Sequence, residues 1–288
     1  MWMSPDVIKQ WTAVVPNGQR GRDQTYSEVA IESMAILQAI YHLPLRQTQG
    51  LLESLFMLMA ITLAVPSYST LSRRKQTLTI TLPQRRSGEG VHVVIDSTGV
   101  KVFGEGEWKV RQHGWSKRRT WKKLHVAVNE ATGEILASKV TDNSVTDGSV
   151  LPELLEQIEP SLLIDQVSAD KAYDKRKCYD AIHERGARAT IPPQKGAHIW
   201  QHANTQAERL DRDENLRAIR KLGKAAWKRT CGYHRRSIAE TTMSRFKRIF
   251  GPTISARTFA GQAVEINLRG KILNQLYDLG RPDSYRVD

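Results

Sequence analysis

The chain has 288 residues, 40% of them hydrophobic and 25% charged, and 43 Lys and Arg against 30 Asp and Glu leave a net charge of +13. That is enough apolar material for a sizeable core, and the positive excess calls for a polyanionic partner. The charge is spread along the chain instead of gathering on one amphipathic helix, which favours nucleic acid over a membrane surface.

Residues 1–25 are polar and basic and broken by Pro5, Pro16, Gly18 and Gly21, which predicts a flexible lead segment. From Ser27 a helical period places Ala30, Ile31, Met34, Ala35, Leu37 and Ile40 on one face, and after His42-Leu43-Pro44 a second helix is expected over 45–60. The apolar run 51–65 contains Glu53 and ends at Pro66, too short for a membrane span. Ser67 is placed to cap a third helix that carries Tyr68, Leu71, Arg73, Arg74 and Lys75. Helix, helix, turn and a small polar helix ending in cations make residues 26–80 an all-helical, helix-turn-helix-like DNA-binding domain. "TLPQRRSGEG" at 81–90 marks its boundary.

A second domain, 91–280, follows. "VHVVIDSTG" is an apolar, β-branched run that is expected to end in Asp96. In 105–123, Trp108, Trp115 and Trp121 alternate with cations that include Lys117, Arg118 and Arg119, a composition suited to phosphates and stacked bases. Two alternating strands around Glu130-Ala131-Thr132-Gly133 predict a hairpin. A helix over 150–159, a strand over 161–170 ending in Asp170, a helix over 174–186 and a strand over 187–193 come next. Residues 194–232 form a polar, basic insertion with one helix at 214–222; Trp200 and Trp227 within it are read as core residues. A last helix covers about 259–277, and 281–288 form a tail. The fold class is therefore α/β (α+β), a mixed five-stranded sheet flanked by helices.

"GYHRRSIAETTMSRFKRIF", residues 232–250, is read as a helix. At 100° per residue Tyr233, Arg236, Glu240 and Lys247 share an arc of roughly 60° beside an apolar stripe of Ala239, Met243, Phe246 and Phe250. His92, His113, His125 and His234 show no mutual metal-ligand spacing, Ser97 has no evident His partner, and Cys178 and Cys231 fit neither a zinc site nor a disulfide framework. The start of the chain carries no basic-then-apolar leader, so a reducing cytoplasm is expected.

The spacing Tyr233-x2-Arg236-x3-Glu240-x6-Lys247, with "DSTGVKVFGEGEWKVRQHGWSKRRTW" and "ADKAYD", resembles bacterial insertion-sequence transposases of the Asp-Asp-Glu class, of the insertion-sequence family five type. Lys171 stands where many relatives carry a small residue, and relatives often have a longer lead segment, so a chain shortened at its start is expected. The resemblance implies a ribonuclease-H-like fold with Asp96, Asp170 and Glu240 as catalytic metal ligands. They would hold two Mg²⁺ ions, for which Mn²⁺ can substitute, with Asp96 bridging both. It implies Tyr233, Arg236 and Lys247 as contacts to DNA, joined by Arg73, Arg74, Lys117, Arg118 and Arg119 from the basic segments. The implied partners are double-stranded DNA, both terminal inverted repeats and target, and further copies of the chain in a homodimer or larger complex on the nucleoid. The alternative is a catalytically silent DNA-binding remnant or regulator.

Overall fold

In a computed structural model, which describes residues 4–15, 24–82, 84, 88–102, 121–201 and 209–279, the organising element is a strand of 12 residues, β3 (Val91–Val102). Along most of its length β3 pairs antiparallel with β4 (Trp121–Asn129), from Val93 opposite Asn129 to Lys101 opposite Trp121. Strand β5 (Ile135–Asp142) continues the antiparallel hairpin. On the other edge of β3, β6 (Ile164–Ala169) runs parallel to its first half only, from Val91–Ile164 to Ile95–Ala169, and β7 (Arg188–Thr190) runs parallel to β6. The order β5-β4-β3-β6-β7 is the mixed sheet expected, three antiparallel strands followed by two reached through helices. A sixth strand, β8 (Thr253–Ile254), adds itself in parallel at Lys101 and Val102 of β3. Two residues carry no legible alternation, so this strand has no sequence signal.

The sheet sorts its side chains by parity. Val91, Val93 and Ile95 of β3, with Val167 and Ala169 of β6, pack beneath α5 (Asp147–Glu156) and α6 (Arg176–Glu184). Val94 and Val100 face the opposite way, into a cluster with α9 (Ser237–Phe250) and α10 (Phe259–Asp278). In the hairpin Leu124, Val126 and Val128 join this second cluster, while Ala127 joins the first.

The N-terminal helices are α2 (Glu28–Tyr41), α3 (Leu45–Leu58) and α4 (Tyr68–Arg74), each close to its expected range and two of them capped by Ser27 and Ser67. Their buried residues Ile31, Met34, Leu52 and Leu71 belong to the same apolar cluster as α9, α10 and the sheet, so 26–80 and 91–280 meet across a shared core. The lead segment differs from the flexible arm expected. It forms α1 (Pro5–Lys9) and an antiparallel pair, β1 (Thr12–Val15) with β2 (Gln24–Tyr26), ahead of the helices of 26–80. Trp11 is fully buried, edge-on to Phe56 at 5.1 Å, with its indole N–H donated to the Ala64 carbonyl at 2.8 Å. A lone tryptophan in a polar stretch has no periodicity to betray it; its burial is supplied by helices far along the chain. Among the described residues no helix is long and apolar enough to cross a membrane.

In the insertion two helices stand where one was expected, α7 (Asp211–Leu222) and α8 (Lys224–Thr230), divided by Gly223 at φ 80°. A buried ionic knot fastens them to the sheet domain. Arg212 donates to Asp174 at 2.9 Å and to the His198 carbonyl at 2.6 Å, and stacks 3.8 Å from the centre of the Trp200 ring. Asp213 accepts the backbone N–H groups of Trp200 and Gln201. Trp200 and Trp227, the latter packed 5.4 Å from Tyr233, are thus structural. Removing Arg212 leaves two buried carboxylates, Asp174 and Asp213, without their cation. Arg212→Ala is expected to cost about 3–5 kcal/mol of unfolding free energy in urea denaturation; a loss within experimental scatter would show the knot to be dispensable.

Candidate active site

Asp96 does not end its strand: β3 continues through it to Val102. What ends at this point is the parallel pairing, whose last register is Ile95 with Ala169. Asp96 and Asp170 are therefore the first residues beyond the paired segment, at the split where β3 and β6 part company. Ile95 and Ala169 both face α5 and α6, so alternation turns the next residue of each strand toward the α9 face. Asp170 stays extended (φ −77°, ψ 176°), and its carboxylate accepts the Ala172 N–H at 2.8 Å, capping a single 3₁₀ turn, Lys171–Tyr173.

The third acid, Glu240, lies in the first turn of α9 and is exposed. The segment before it is not α-helical as expected. Tyr233–Arg236 is a 3₁₀ turn entered through Gly232 at φ 69°, which rotates Tyr233 inward to 9% exposure instead of leaving it beside Glu240. Arg236, at the joint, donates to Asp96 Oδ2 at 2.7 Å and through its other amino group to Glu240 Oε1. One guanidinium thus serves a carboxylate from the central strand and one from the helix. The remaining Asp96 oxygen accepts the Ser97 N–H at 2.9 Å.

Electrostatics tie Asp170 to the same point. Burial pushes the Asp96 carboxyl above its ordinary value; the Ser97 N–H and Arg236 oppose that, and the charge of Asp170 adds to it. Burial also raises the Tyr233 phenol, with Arg236 opposing and Asp170 and Asp96 reinforcing. Lys247, on the third turn of α9, donates to Thr98 Oγ1 at 2.6 Å, two residues beyond Asp96 on the same face of β3. Asp96, Asp170, Glu240, Arg236, Lys247 and Tyr233 therefore share one region. Thr98 is a partner that no sequence signal singled out.

The basic residues nominated elsewhere divide. Arg73 is exposed at the end of α4. Arg74 turns inward and donates to the Tyr26 carbonyl, so it closes the β2–α4 junction and does not project beside Arg73. Lys75 is likewise half-buried, bonded to Gln38 at 2.8 Å. Lys117, Arg118 and Arg119, with Trp108, Trp115 and His113, lie outside the described residues. His92 and His125 serve as neutral hydrogen-bonding groups on the sheet, to Ser168 at 2.8 Å and Thr141 at 2.9 Å; burial pushes each pKa down to about 4.

Among the described residues, no three His, Cys, Asp or Glu side chains are gathered closely enough to hold a metal ion as they stand. The donor set nevertheless suits a hard divalent cation. It consists of carboxylate oxygens, the ligand type Mg²⁺ prefers, and two of them already share one cationic group in Arg236.

Two family models, both described as transposase DDE domain, match this chain, one over residues 1–105 and the other over 87–275. Solved structures similar to it include a piggyBac transposase synaptic complex with hairpin DNA (10% identity, 95% of this chain and 72% of that one, TM-score 0.41). Others are the Drosophila P element transposase strand transfer complex (13% identity, 91% and 67%, TM-score 0.34) and a simian T-cell lymphotropic virus intasome bound to a PP2A regulatory subunit (15%, 81% and 66%, TM-score 0.30).

Because the folded pKa of Asp96 is raised, the native chain binds a proton there more tightly than the unfolded chain does. Stability therefore declines as pH rises from the ordinary aspartate range through the folded value. Arg236 works against that rise. Arg236→Gln is expected to move the Asp96 carboxyl pKa further upward in a ¹³C NMR titration of the metal-free protein. An unchanged or lowered value would contradict the shared-cation geometry.

Proposed function

The chain belongs to the transposase DDE-domain family, and from that premise we propose that it binds the ends of an insertion sequence of the family five type and cuts and joins DNA there. The observation that carries this reading is the Arg236 bridge between Asp96 and Glu240, with Asp170 in electrostatic reach. Three acids from β3, the end of β6 and α9 are what the Asp-Asp-Glu chemistry requires, and the family is one that generally uses divalent metal ions.

Asp96, Asp170 and Glu240 would hold Mg²⁺ or Mn²⁺, two ions in the full site. Such ions stabilise the charge on the attacking and departing oxygens of an in-line phosphodiester displacement. The chain's own cations do the rest. Arg236 gives up its carboxylates and takes a DNA phosphate, a partner of the same planar geometry that it can hold with two N–H groups. Lys247 exchanges Thr98 for a second phosphate as a point charge. Tyr233 stiffens the turn that carries Arg236. In the first reaction water attacks the phosphorus at the element end, the P–O3′ bond breaks, and the 3′ oxygen leaves as a free hydroxyl. In the second that hydroxyl attacks a target phosphodiester: a new P–O3′ bond joins the element to the target, the target's own P–O3′ bond breaks, and its 3′ oxygen leaves and takes up a proton as a free hydroxyl. Holding two element ends and a target in register favours a complex of two or more copies.

Outside the site, α3 and α4 supply the recognition surface of a helix-turn-helix-like reader. Arg46 lies 4.6 Å from the Tyr68 ring centre and bonds its hydroxyl, while Gln49 accepts the Tyr68 N–H. This stiffens the turn ahead of Arg73. Lys117, Arg118 and Arg119 add phosphate contacts that carry no sequence preference.

Incubation with an end-labelled element terminus and Mg²⁺ tests the reading. Asp96→Asn, Asp170→Asn and Glu240→Gln should each abolish strand cleavage and leave DNA binding intact; cleavage retained in any one removes that residue from the set. A wild-type chain that binds the terminus but never cuts it, with either metal, would instead establish the silent regulator. Arg73→Ala should weaken binding to the element end by roughly tenfold more than binding to random duplex if it reads base edges. Equal losses on the two duplexes would reduce it to a phosphate contact.

A further inference from the structure

The proposed function calls for more than one copy of the chain and makes no use of the far edge of the sheet. That edge is β5, the first strand in the order β5-β4-β3-β6-β7, with α5 on one side of it and α10 on the other. Its first half is blunted by side-chain amides. Asn274 of α10 accepts the Ile135 N–H at 2.9 Å and donates to the Ile135 carbonyl at 2.8 Å. Gln84 donates to the Leu136 carbonyl at 2.9 Å and to the Gln157 carbonyl at 3.1 Å, and the Gln157 side chain accepts the Ser138 N–H at 3.3 Å. Residues 78–82, which lead to Gln84, alternate between inward and exposed positions as an extended segment does. Ile80, Thr81 and Leu82 run beside Leu136, Ser138 and Asn267 around a hollow of about 330 Å³.

The second half of the edge is open. In an antiparallel ladder every second residue turns its N–H and C=O outward, so Val140 turns both the same way as Ser138. Among the described residues no side chain or loop bonds them. They give onto a second hollow, of about 530 Å³, walled by Glu153 and Glu156 of α5 and by Phe259 and Ala263 of α10. The two hollows share Ser138, Gln157 and Asn267, so one slot runs along β5, with the chain's own linker at one end and open at the other. Phe259 stands over the open end 49% exposed, with the Lys122 ammonium 5.2 Å from its ring centre.

Charge decides what the slot suits. Residues 140–170 hold seven Asp and Glu and no Lys, Arg or His, in a chain whose net charge is +13. Lys139 is paired with Glu153 and Lys122 with Asp142, while Glu156 is exposed at the rim without a cation among the described residues. Such a wall repels DNA. A second copy of this chain is repelled by most of the first copy's surface and attracted to this strip.

We propose that the open end of the slot is where a second copy of the chain docks, laying an extended basic segment along Val140 as an added strand. Its backbone takes up the Val140 N–H and C=O, its cations face Glu156 and Glu153, and an apolar side chain packs on Phe259. Main-chain bonds to an exposed edge supply affinity in such contacts, and the flanking walls supply selectivity. The chain's linker already lies along the other half of the same edge, which shows that the slot fits an extended segment. The contact involves neither DNA nor metal, so it does not rest on the assignment of Asp96, Asp170 and Glu240.

Sedimentation equilibrium of the full chain without DNA or metal, at low and high salt, tests it. Self-association at micromolar concentration that weakens with salt is expected. Glu156→Arg should raise the dissociation constant by roughly tenfold or more, and Val140→Pro, which removes the outward N–H, should do the same. A chain that stays monomeric, or association that neither variant weakens, overturns the proposal. Should Val140→Pro lower the melting temperature, Glu156→Arg decides alone, since Glu156 is exposed at the end of α5. Benzoylphenylalanine in place of Phe259 identifies the occupant. Photocrosslinks to a Lys- or Arg-bearing segment of a second copy are the expected result, and crosslinks confined to one chain overturn it. Cleavage of an element end is assayed separately, so either reading can fail while the other stands.

Discussion

The guanidinium of Arg236 is the contact on which the site depends. Asp96 comes from the middle of the central strand and Glu240 from a helix far along the chain, and this one side chain bonds both. It can do so because Gly232, in the left-handed region, and the 3₁₀ turn Tyr233–Arg236 set it at the joint between the insertion and α9. A guanidinium is planar and always charged, with its donors in a fixed fork, so it suits two carboxylates on different elements better than an ammonium would. The cost of bringing negative side chains together at a half-buried point is thereby offset without metal.

Under the proposed function that arrangement would couple DNA to metal. While Arg236 holds Asp96 and Glu240, their oxygens are committed to it. A phosphate offers the same fork a partner of equal geometry, so in the proposed reaction DNA and metal would act together in drawing Arg236 away. Lys247 on Thr98 repeats the logic at one remove, since a hydroxyl is a weaker claimant on an ammonium than a phosphate is. The site's cations thus occupy places in the fold, on Asp96, Glu240 and Thr98, from which the proposed function would have phosphate displace them.

The surrounding scaffold holds this point firm from several sides. Apolar residues of α2, α3, α4, α9 and α10 form one cluster on the Asp96 face of the sheet, while α5 and α6 close the other. The Arg212 knot anchors α7, which leads through α8 to the turn bearing Arg236. A site assembled from a strand, a strand end and a helix over a continuous core has little freedom to drift, as the proposed in-line displacement would demand.

Much of this was legible in the residues themselves. The alternation of β3 and the hairpin, the caps at Ser27 and Ser67 and the mixed α/β class follow from local periodicity and spacing, because those signals lie within one element, while the acidic and basic residues of the site were implied by the family resemblance that their motifs carry. Other features were decided by tertiary contact. Asp96 reads as a strand terminus because the apolar run stops there, yet the strand continues, since β4 pairs with it to Lys101. Arg73 and Arg74 are adjacent cations in the sequence, and only the approach of the Tyr26 carbonyl turns one inward. Trp11 and Arg212 gain their roles from segments distant along the chain, and no window of neighbouring residues contains that information. Periodicity determined which faces would be buried; which charged and polar side chains meet was decided where those faces closed on one another.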